Sequence, residues 1–395
     1  MIGLRKIHCA ISATVSMFLA GCVQVPDTSA FKASADFPEF KQESFEEYVQ
    51  STRGWLRENR AFTTDNPEVE LDANAPFEIK PLKQGKKRKG ILLVHGLGDS
   101  PYSFVDLAPA LAKQGFLVRV VLLQGHGSKP ADLIPVTMES WQELVEYQAK
   151  QLQGEVDELW LGGFSTGANL VTSLALQQEE DVKGLLLFSP GFKPKSAMVS
   201  LAPYLAKIKD WADIDETENY VRYDSLAVKG AGEYYRTSKR VRKDLEATAF
   251  DRPVFMVMSE YDSVINSEGV LELFESRFTH PDSRFIWYGN DPESEDPRVS
   301  VLEARIPELR ISNFSHMAPL FVPGNPYYGK NGSYRMCNNG QLGKAAKNCP
   351  IAEEVWYSAW GYREKGKTHA RLTWNPYFDE QMSQINQIFK KHSEQ

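Results

Sequence analysis

The feature that most constrains this chain is a regular alternation of short apolar runs and amphipathic stretches between residues 90 and 188. Runs rich in Leu and Val predict strands, and the stretches between them predict helices. The predicted strands are residues 90–94, 116–122, 158–163 and 184–188, and the predicted helices are residues 102–114, 138–153 and 167–177. Nearly continuous apolar strands that alternate with helices indicate a parallel sheet covered on both faces. We therefore expect an α/β fold with a doubly wound, mostly parallel sheet.

After residue 190 the alternation stops, and residues 193–250 form a charged, Tyr-rich stretch of helical character. We interpret this stretch as a cap insertion above the sheet. The sheet resumes at residues 252–258, with further strand candidates at 284–288 and 309–311. Residues 317–395 are predicted to be a C-terminal extension that ends in an amphipathic helix. The chain has 395 residues, of which 42% are hydrophobic, which is sufficient for the core of one large α/β domain over residues 37–395.

The N-terminus predicts export. Arg5 and Lys6 precede a mostly apolar stretch that is too short to span a bilayer, which is the outline of a secretory signal. The stretch ends in Leu19-Ala20-Gly21-Cys22, which resembles the lipobox of bacterial lipoproteins. This resemblance implies a signal peptide at residues 1–21, a lipid on Cys22 and a tether over residues 22–36. It places the protein at the bacterial cell envelope, on the periplasmic face of the outer membrane; the alternative is an ordinary signal peptide.

Cysteine usage agrees with export. Removal of the signal and acylation of Cys22 would leave only Cys337 and Cys349, close together in a loop-rich segment. In an exported protein such a pair predicts one disulfide, and the alternative is two free thiols. Motifs typical of metal sites are absent from the sequence, so we expect no metal. The net charge of −7 argues against a nucleic-acid partner.

A serine follows a predicted buried strand at a position where packing alone does not require a hydroxyl group. The segment Gly163-Phe164-Ser165-Thr166-Gly167 follows a predicted strand and precedes a predicted helix. It fits the GxSxG pattern of the nucleophile elbow, in which a sharp turn holds the serine above the sheet. Ligands of doubly wound sheets bind beyond this edge. We therefore interpret Ser165 as a nucleophile; the alternative is a tight turn with an incidental serine.

A serine nucleophile needs a base and an acid that orients the base. His316 follows a strand-like run and is our candidate base, whereas a buried histidine without a catalytic role is the alternative. Asp262 follows the strand at residues 252–258 and is our candidate acid, with Glu260 as its rival. The backbone N–H groups of Leu97 and Thr166 are the expected oxyanion donors.

Taken together, the segments HGLGDSP, LQGHGS, GFSTG, SEYD and SHM resemble the α/β-hydrolase superfamily, most closely its bacterial carboxylesterase and monoacylglycerol-lipase branch. The likeness covers roughly residues 89–319. It implies a Ser165, His316 and Asp262 triad that cleaves carboxylic esters through an acyl-enzyme, without a cofactor. An ester or lipid is the expected substrate.

Two other functions stay open. One is an amidase or peptidase with the same triad, in which the acidic run at residues 210–218 would hold a substrate amine; the alternative for this run is a solvated face. The other is a non-catalytic lipoprotein that uses the fold to bind a partner. In the cap, several apolar side chains either shape an acyl pocket or pack against the sheet: Met198, Leu201, Tyr204, Leu205, Trp211, Tyr220, Tyr234 and Tyr235. We interpret His95 and His126, in the two glycine-rich loops, as structural.

Overall fold

The computed structural model describes residues 25–83, 85–177, 181–341 and 344–393. The predicted signal peptide and the predicted lipidation site, Cys22, lie outside the described residues. No helix among the described residues is both long enough and apolar enough to cross a membrane. In the segment predicted to be a tether, Phe31 packs edge-on against Trp211 of the cap, with ring centroids 5.0 Å apart.

The strands of the described residues are β1 (Phe77–Ile79), β2 (Lys89–Val94), β3 (Phe116–Val121), β4 (Glu158–Phe164), β5 (Val182–Phe188), β6 (Trp211–Asp213), β7 (Leu226–Ala227), β8 (Val254–Ser259), β9 (Arg284–Tyr288), β10 (Val299–Leu302), β11 (Trp356–Ser358) and β12 (His369–Arg371). Eight of them form one sheet in the order β1-β3-β2-β4-β5-β8-β9-β10. Only β1 runs antiparallel to its neighbour in this sheet. The predicted mostly parallel sheet is confirmed.

The helices of the described residues are α1 (Phe45–Asn59), α2 (Pro67–Asn74), α3 (Leu107–Lys113), α4 (Met138–Gln153), α5 (Thr166–Gln177), α6 (Ala202–Leu205), α7 (Val228–Ala247), α8 (Ser267–Arg277), α9 (Lys344–Asn348) and α10 (Phe378–Ser393). Polar side chains start several of them by accepting a hydrogen bond from a backbone N–H of the first turn. Thr137 does so for α4, and Asn266 for α8.

Both faces of the sheet are covered by apolar layers. Along β2, Leu92 and Val94 belong to one layer, and Ile91 and Leu93 belong to the other. This division follows from the alternation of side chains along a strand. Helix α10 covers the second face, where Phe389 lies 4.6 Å from Phe116 between ring centroids. The doubly wound arrangement predicted from the sequence is therefore confirmed.

Two local predictions need correction, and one strand was missed. The sequence from Val69 to Leu82 predicts two short strand-like pieces around Pro76. The second piece contains β1, whereas the first belongs to α2, because Asn66 caps the helix and Pro67 occupies its first turn. Residues 309–311 do not form a strand, since Arg310 adopts a left-handed conformation with φ of 54°. The last strand of the sheet is instead β10, which the sequence analysis missed.

The cap and the extension each add a small sheet. In the cap, β6 pairs with β7, and α7 is its long helix. In the extension, β11 pairs with β12. Cys337 and Cys349, the pair predicted to be joined, form a disulfide in the same region. The extension therefore has structure of its own and packs on the sheet through α10.

Candidate active site

Ser165 occupies a strained turn between β4 and α5. Its φ is 52°, a left-handed conformation that costs a residue other than glycine about 1–2 kcal/mol. A Cβ atom on Gly163 would lie 2.4 Å from Ala168 N, and one on Gly167 would lie 1.9 Å from Val94 O. Both neighbours must therefore be glycine for the turn to form. The turn holds Ser165 at the carboxyl edge of β4, the geometry that the GxSxG pattern predicts.

His316 and Asp262 are joined across 54 residues of sequence. His316 Nδ1 lies 2.6 Å from Asp262 Oδ2, and Asp262 is fully buried behind the imidazole. The other carboxylate oxygen, Oδ1, accepts backbone N–H groups from Val264 at 2.8 Å and Ile265 at 2.9 Å. Because an ionised carboxylate only accepts hydrogen bonds, the imidazole proton sits on Nδ1 and leaves Nε2 as an acceptor.

The alternative acid, Glu260, bonds to Asn290 and not to His316. Its Oε2 accepts hydrogen bonds from the backbone N–H of Asn290 at 2.7 Å and from the side-chain amide of Asn290 at 3.0 Å. Of the two candidates that follow β8, only Asp262 therefore contacts His316. The backbone of the histidine is also anchored, since Ser189 Oγ donates to His316 O at 2.7 Å.

One cavity of about 360 Å³ brings the predicted site residues together. Ser165, Thr166, His316 and Leu97 all line it. They come from the turn after β4, the loop beyond β10 and the loop after β2. Parallel strands end at the same edge of the sheet, so segments distant in sequence meet there.

The loop that contains Leu97 is shaped by a tight turn. Gly98 has φ of 75°, and the N–H of Asp99 donates to Gly96 O at 3.2 Å. Beneath the loop, His95 Nδ1 lies 2.8 Å from Gly96 O, and His95 Nε2 accepts the N–H of Leu123 at 3.1 Å. Burial holds the pKa of His95 well below its usual range. His95 is thus a neutral structural support, as predicted.

His126 also has a structural environment. It stacks on Tyr223 with an interplanar angle of 8°, and its ring centroid lies 4.9 Å from that of His95. Burial lowers the pKa of His126 to about 4. His369, which the sequence places among charged residues, is buried and lies 3.4 Å from Ser312 Oγ. None of these three histidines lines the cavity that contains Ser165.

Sequence reasoning missed part of the cavity wall. Four lining residues come from the C-terminal extension: Met336, Asn338, Trp360 and Arg371. The cap contributes Arg222 and Asp224, among others. No local motif marks these residues, because only the packing of the extension against the cap brings them to the site.

The cap residues that were expected either to shape a pocket or to pack have mixed positions. Only Tyr234 of that set lines the cavity, whereas Trp211 is buried in the core. Met198, Leu201 and Tyr204 are 45%, 46% and 71% exposed. In the part of the chain that the structure describes, no group of three or more His, Cys, Asp or Glu side chains is arranged to hold a metal ion.

Comparisons with known proteins give one family match and several partial relatives. The family described as "Serine aminopeptidase, S33" matches residues 85–219. A thermostable monoacylglycerol lipase from Bacillus sp. (strain H-257) is 34% identical over 97 residues. That match covers 25% of this chain and 38% of the lipase, so it spans well under half of the relative.

Among solved structures, the metagenome-derived lipolytic enzymes LipS and LipT give a TM-score of 0.47 at 22% identity, over 55% of this chain and 88% of theirs. A Paleococcus ferrophilus monoacylglycerol lipase gives 0.45 at 21% identity, over 54% and 88%. With its doubly wound sheet, flanking helices and strained serine turn, and with the family match across β2 to β5, this chain has the α/β-hydrolase fold.

Proposed function

We propose that this protein is a serine hydrolase that cleaves carboxylic esters, as a carboxylesterase or lipase. The observation that carries the proposal is the 2.6 Å contact between His316 Nδ1 and Asp262, in a histidine that lines the same cavity as Ser165. A base already oriented by a buried carboxylate, beside a serine on a strained turn, is the arrangement that activates a hydroxyl.

In the proposed reaction, Ser165 Oγ attacks the ester carbonyl carbon while His316 Nε2 takes the hydroxyl proton. The tetrahedral oxyanion accepts hydrogen bonds from the N–H groups of Leu97 and Thr166. As the C–O bond to the alcohol breaks, the imidazolium gives the proton to the leaving oxygen. Water then attacks the acyl-enzyme, again with His316 as base, and releases the acid and Ser165.

An ester of lipid type is the proposed substrate, with monoacylglycerols as the expected class. The similarity to the Bacillus monoacylglycerol lipase supports this class. We further propose that the protein is anchored by a lipid on Cys22 at the periplasmic face of the outer membrane. That proposal rests on the sequence of residues 19–22 alone.

An amidase or peptidase with the same triad is the second candidate. Two cap aspartates, Asp213 and Asp215, line the cavity, and the matched family is described as a serine aminopeptidase. A substrate amine would suit such carboxylates. The side chain of Asp215, however, already accepts the amide of Asn338 at 2.8 Å, which leaves Asp213 as the main candidate partner.

The test compares turnover of p-nitrophenyl esters of graded acyl length with turnover of aminoacyl p-nitroanilides, on the full chain in detergent. We expect faster cleavage of esters, and labelling by a fluorophosphonate probe. Ser165→Ala should abolish both labelling and turnover, since losses of about 10⁶ are typical for such a nucleophile. The matched control is Ser276→Ala, an exposed serine of α8 whose hydroxyl donates to Glu272 O.

Three outcomes contradict parts of this proposal. Preferred cleavage of the amides supports the peptidase instead. Labelling that persists in Ser165→Ala places the nucleophile elsewhere. Absence of both labelling and turnover in the wild-type chain supports the non-catalytic alternative.

A further inference from the structure

Two arginines line the same cavity as Ser165 and His316. Arg222 belongs to the cap segment between β6 and β7, and its side chain is 24% exposed. Arg371 is the last residue of β12 in the C-terminal extension, and its side chain is partly exposed. Both lie outside residues 85–219, which match the known family. They are therefore features of this chain that the family match does not cover.

The neighbouring carboxylates neutralise only one of these cations. Asp99 Oδ1 lies 3.5 Å from Arg222 Nε. Arg371 Nη2 donates to the carbonyl of Asn338 at 2.6 Å, and within the described ranges no carboxylate pairs with this guanidinium. Arg371 thus contributes a positive charge to the cavity without a directly bound counter-ion.

Two further aspartates near the arginines are held by other groups. Asp224 Oδ2 accepts the backbone N–H groups of Glu218 at 3.0 Å and Asn219 at 3.1 Å. Asp215 Oδ2 accepts the side-chain amide of Asn338 at 2.8 Å. Asp213 also lines the cavity, and among the described residues no ion pair joins it to either arginine. These three carboxylates act on Arg371 only at longer range.

Two features of the structure make the charge on Arg371 electrostatically unfavourable. Burial, followed by the positive charge of Arg222, lowers the pKa of Arg371 to about 9. An anion that entered the cavity would offset the repulsion between the two guanidinium groups, and its oxygens would accept hydrogen bonds from their terminal Nη groups.

We propose that Arg371, assisted by Arg222, forms a subsite for a carboxylate on the substrate, so that the preferred esters are anionic. This inference rests on the proposed esterase function, whose substrate class it narrows. A carboxylate suits the site better than a phosphate dianion, because Asp99 offsets one of the two positive charges. A planar guanidinium also matches the two oxygens of a carboxylate.

The experiment measures a ratio of kcat/KM values at low ionic strength, where screening is weak. On the acyl side, the ratio compares 4-nitrophenyl hydrogen glutarate with the neutral 4-nitrophenyl hexanoate. On the alcohol side, it compares 4-carboxyphenyl butyrate with phenyl butyrate. The arm whose ratio falls in Arg371→Gln identifies which half of the ester meets the arginines, because intrinsic reactivity cancels between wild type and variant.

For Arg371→Gln we expect the ratio in that arm to fall by about 10-fold or more, the size typical of losing a charged hydrogen bond. Arg371→Lys should recover part of the ratio, because it keeps the charge but not the planar fork. The matched control is Arg363→Gln, an exposed arginine of the same extension that does not line the cavity. It should leave the ratio unchanged. A purely structural role for Arg371 would lower both rates together.

Binding separates failure of this inference from failure of the proposed function. Glutarate binding to the wild-type chain and to Arg371→Gln is measured by calorimetry, which does not depend on turnover. If esters are cleaved but neither the ratios nor glutarate binding respond to Arg371→Gln, the carboxylate subsite is wrong and the esterase stands. If no ester is cleaved, the esterase is wrong, and weaker glutarate binding in Arg371→Gln still supports the subsite. No glutarate binding to the wild type overturns the subsite.

Discussion

The buried histidine His126 is expected to make the fold sensitive to acid. Its pKa is about 4 in the folded protein, because burial disfavours the imidazolium, against an ordinary value of 6.5. Between these two values the unfolded chain binds a proton that the folded chain does not bind. The contribution of His126 to the free energy of unfolding is therefore complete above about pH 6.5 and is lost as the pH falls towards 4.

The size of the effect follows from the two pKa values. A difference of about 2.5 units corresponds to roughly 3 kcal/mol in all, of which about 2 kcal/mol is lost between pH 7 and pH 5. This loss is a substantial share of the stability of a typical protein, which is about 5–15 kcal/mol. His95, which is packed against His126 and also has a lowered pKa, should add to the same trend.

The test is urea unfolding of wild type and His126→Phe at pH 7 and at pH 5, followed by tryptophan fluorescence. Phenylalanine keeps an aromatic ring beside Tyr223 and removes the titrating group. The carbonyl of Gln124, which lies near His126 Nδ1, keeps the indole N–H of Trp141 as a donor at 2.9 Å. We expect the drop in unfolding free energy between the two pH values to be about 2 kcal/mol smaller in the variant.

A matched control separates loss of stability from dependence on pH. Tyr48→Phe removes a buried hydroxyl that donates to Leu122 O at 3.1 Å, and should cost about 1 kcal/mol at both pH values. Burial raises the pKa of Tyr48 above its usual value, so this side chain does not titrate in the window. If His126→Phe loses as much stability between pH 7 and pH 5 as wild type, the argument from burial is refuted.

Three further expectations concern the site and its surroundings. Asp262→Asn should lower kcat by about 10⁴ with circular dichroism unchanged, whereas Glu260→Gln should stay within about tenfold; the reverse order of the two rates would exchange their roles. Replacing both Cys337 and Cys349 with alanine should lower the unfolding free energy by at most about 3 kcal/mol, measured in urea against untreated and reduced wild type; equal stability of all three would contradict a stabilising disulfide. Cys22→Ser should leave the protein in the soluble fraction after cell disruption, and salt-resistant sedimentation with membranes would exclude a lipid anchor.

The parallel core was predictable because its signal is local and strong. The strands β2 to β5 are apolar along most of their length, so period and composition agree. Strand β10 was missed by the sequence analysis because it is an edge strand with no fully buried residue. Helix α2 was not predicted because Val69 and Leu71 alternate with Glu68 and Glu70, which is the pattern of a strand. The stronger signal was the start of the helix, where Asn66 is the N-terminal capping residue and Pro67 occupies the first turn.

The long interval between Asp262 and His316 also has a structural explanation. It contains two strands of the sheet, β9 and β10, followed by a turn at Arg310. Each sequence motif that borders the cavity could be identified from the residues next to it in the sequence. The pairing of His316 with Asp262 was expected from the position of each residue after a predicted strand and from the resemblance. The presence of Arg371 in the cavity could not be expected from the sequence. Its position depends on β12, which pairs with β11 of the same extension.

The cap and the extension also bear on how the loop that contains Leu97, the proposed oxyanion donor, keeps its shape. The cap segment is bonded to that loop: Tyr223 N–H donates to Gly98 O at 2.7 Å, and Ser100 Oγ donates to Val221 O at 2.7 Å. Asn219 of the same segment donates to the hydroxyl of Tyr328 in the extension at 2.6 Å. A loop held from both sides is preorganised, and donors that need no rearrangement stabilise a developing charge most effectively. The C-terminal extension therefore supports the proposed reaction in two ways, through the wall that includes Arg371 and through the cap segment that fixes the loop.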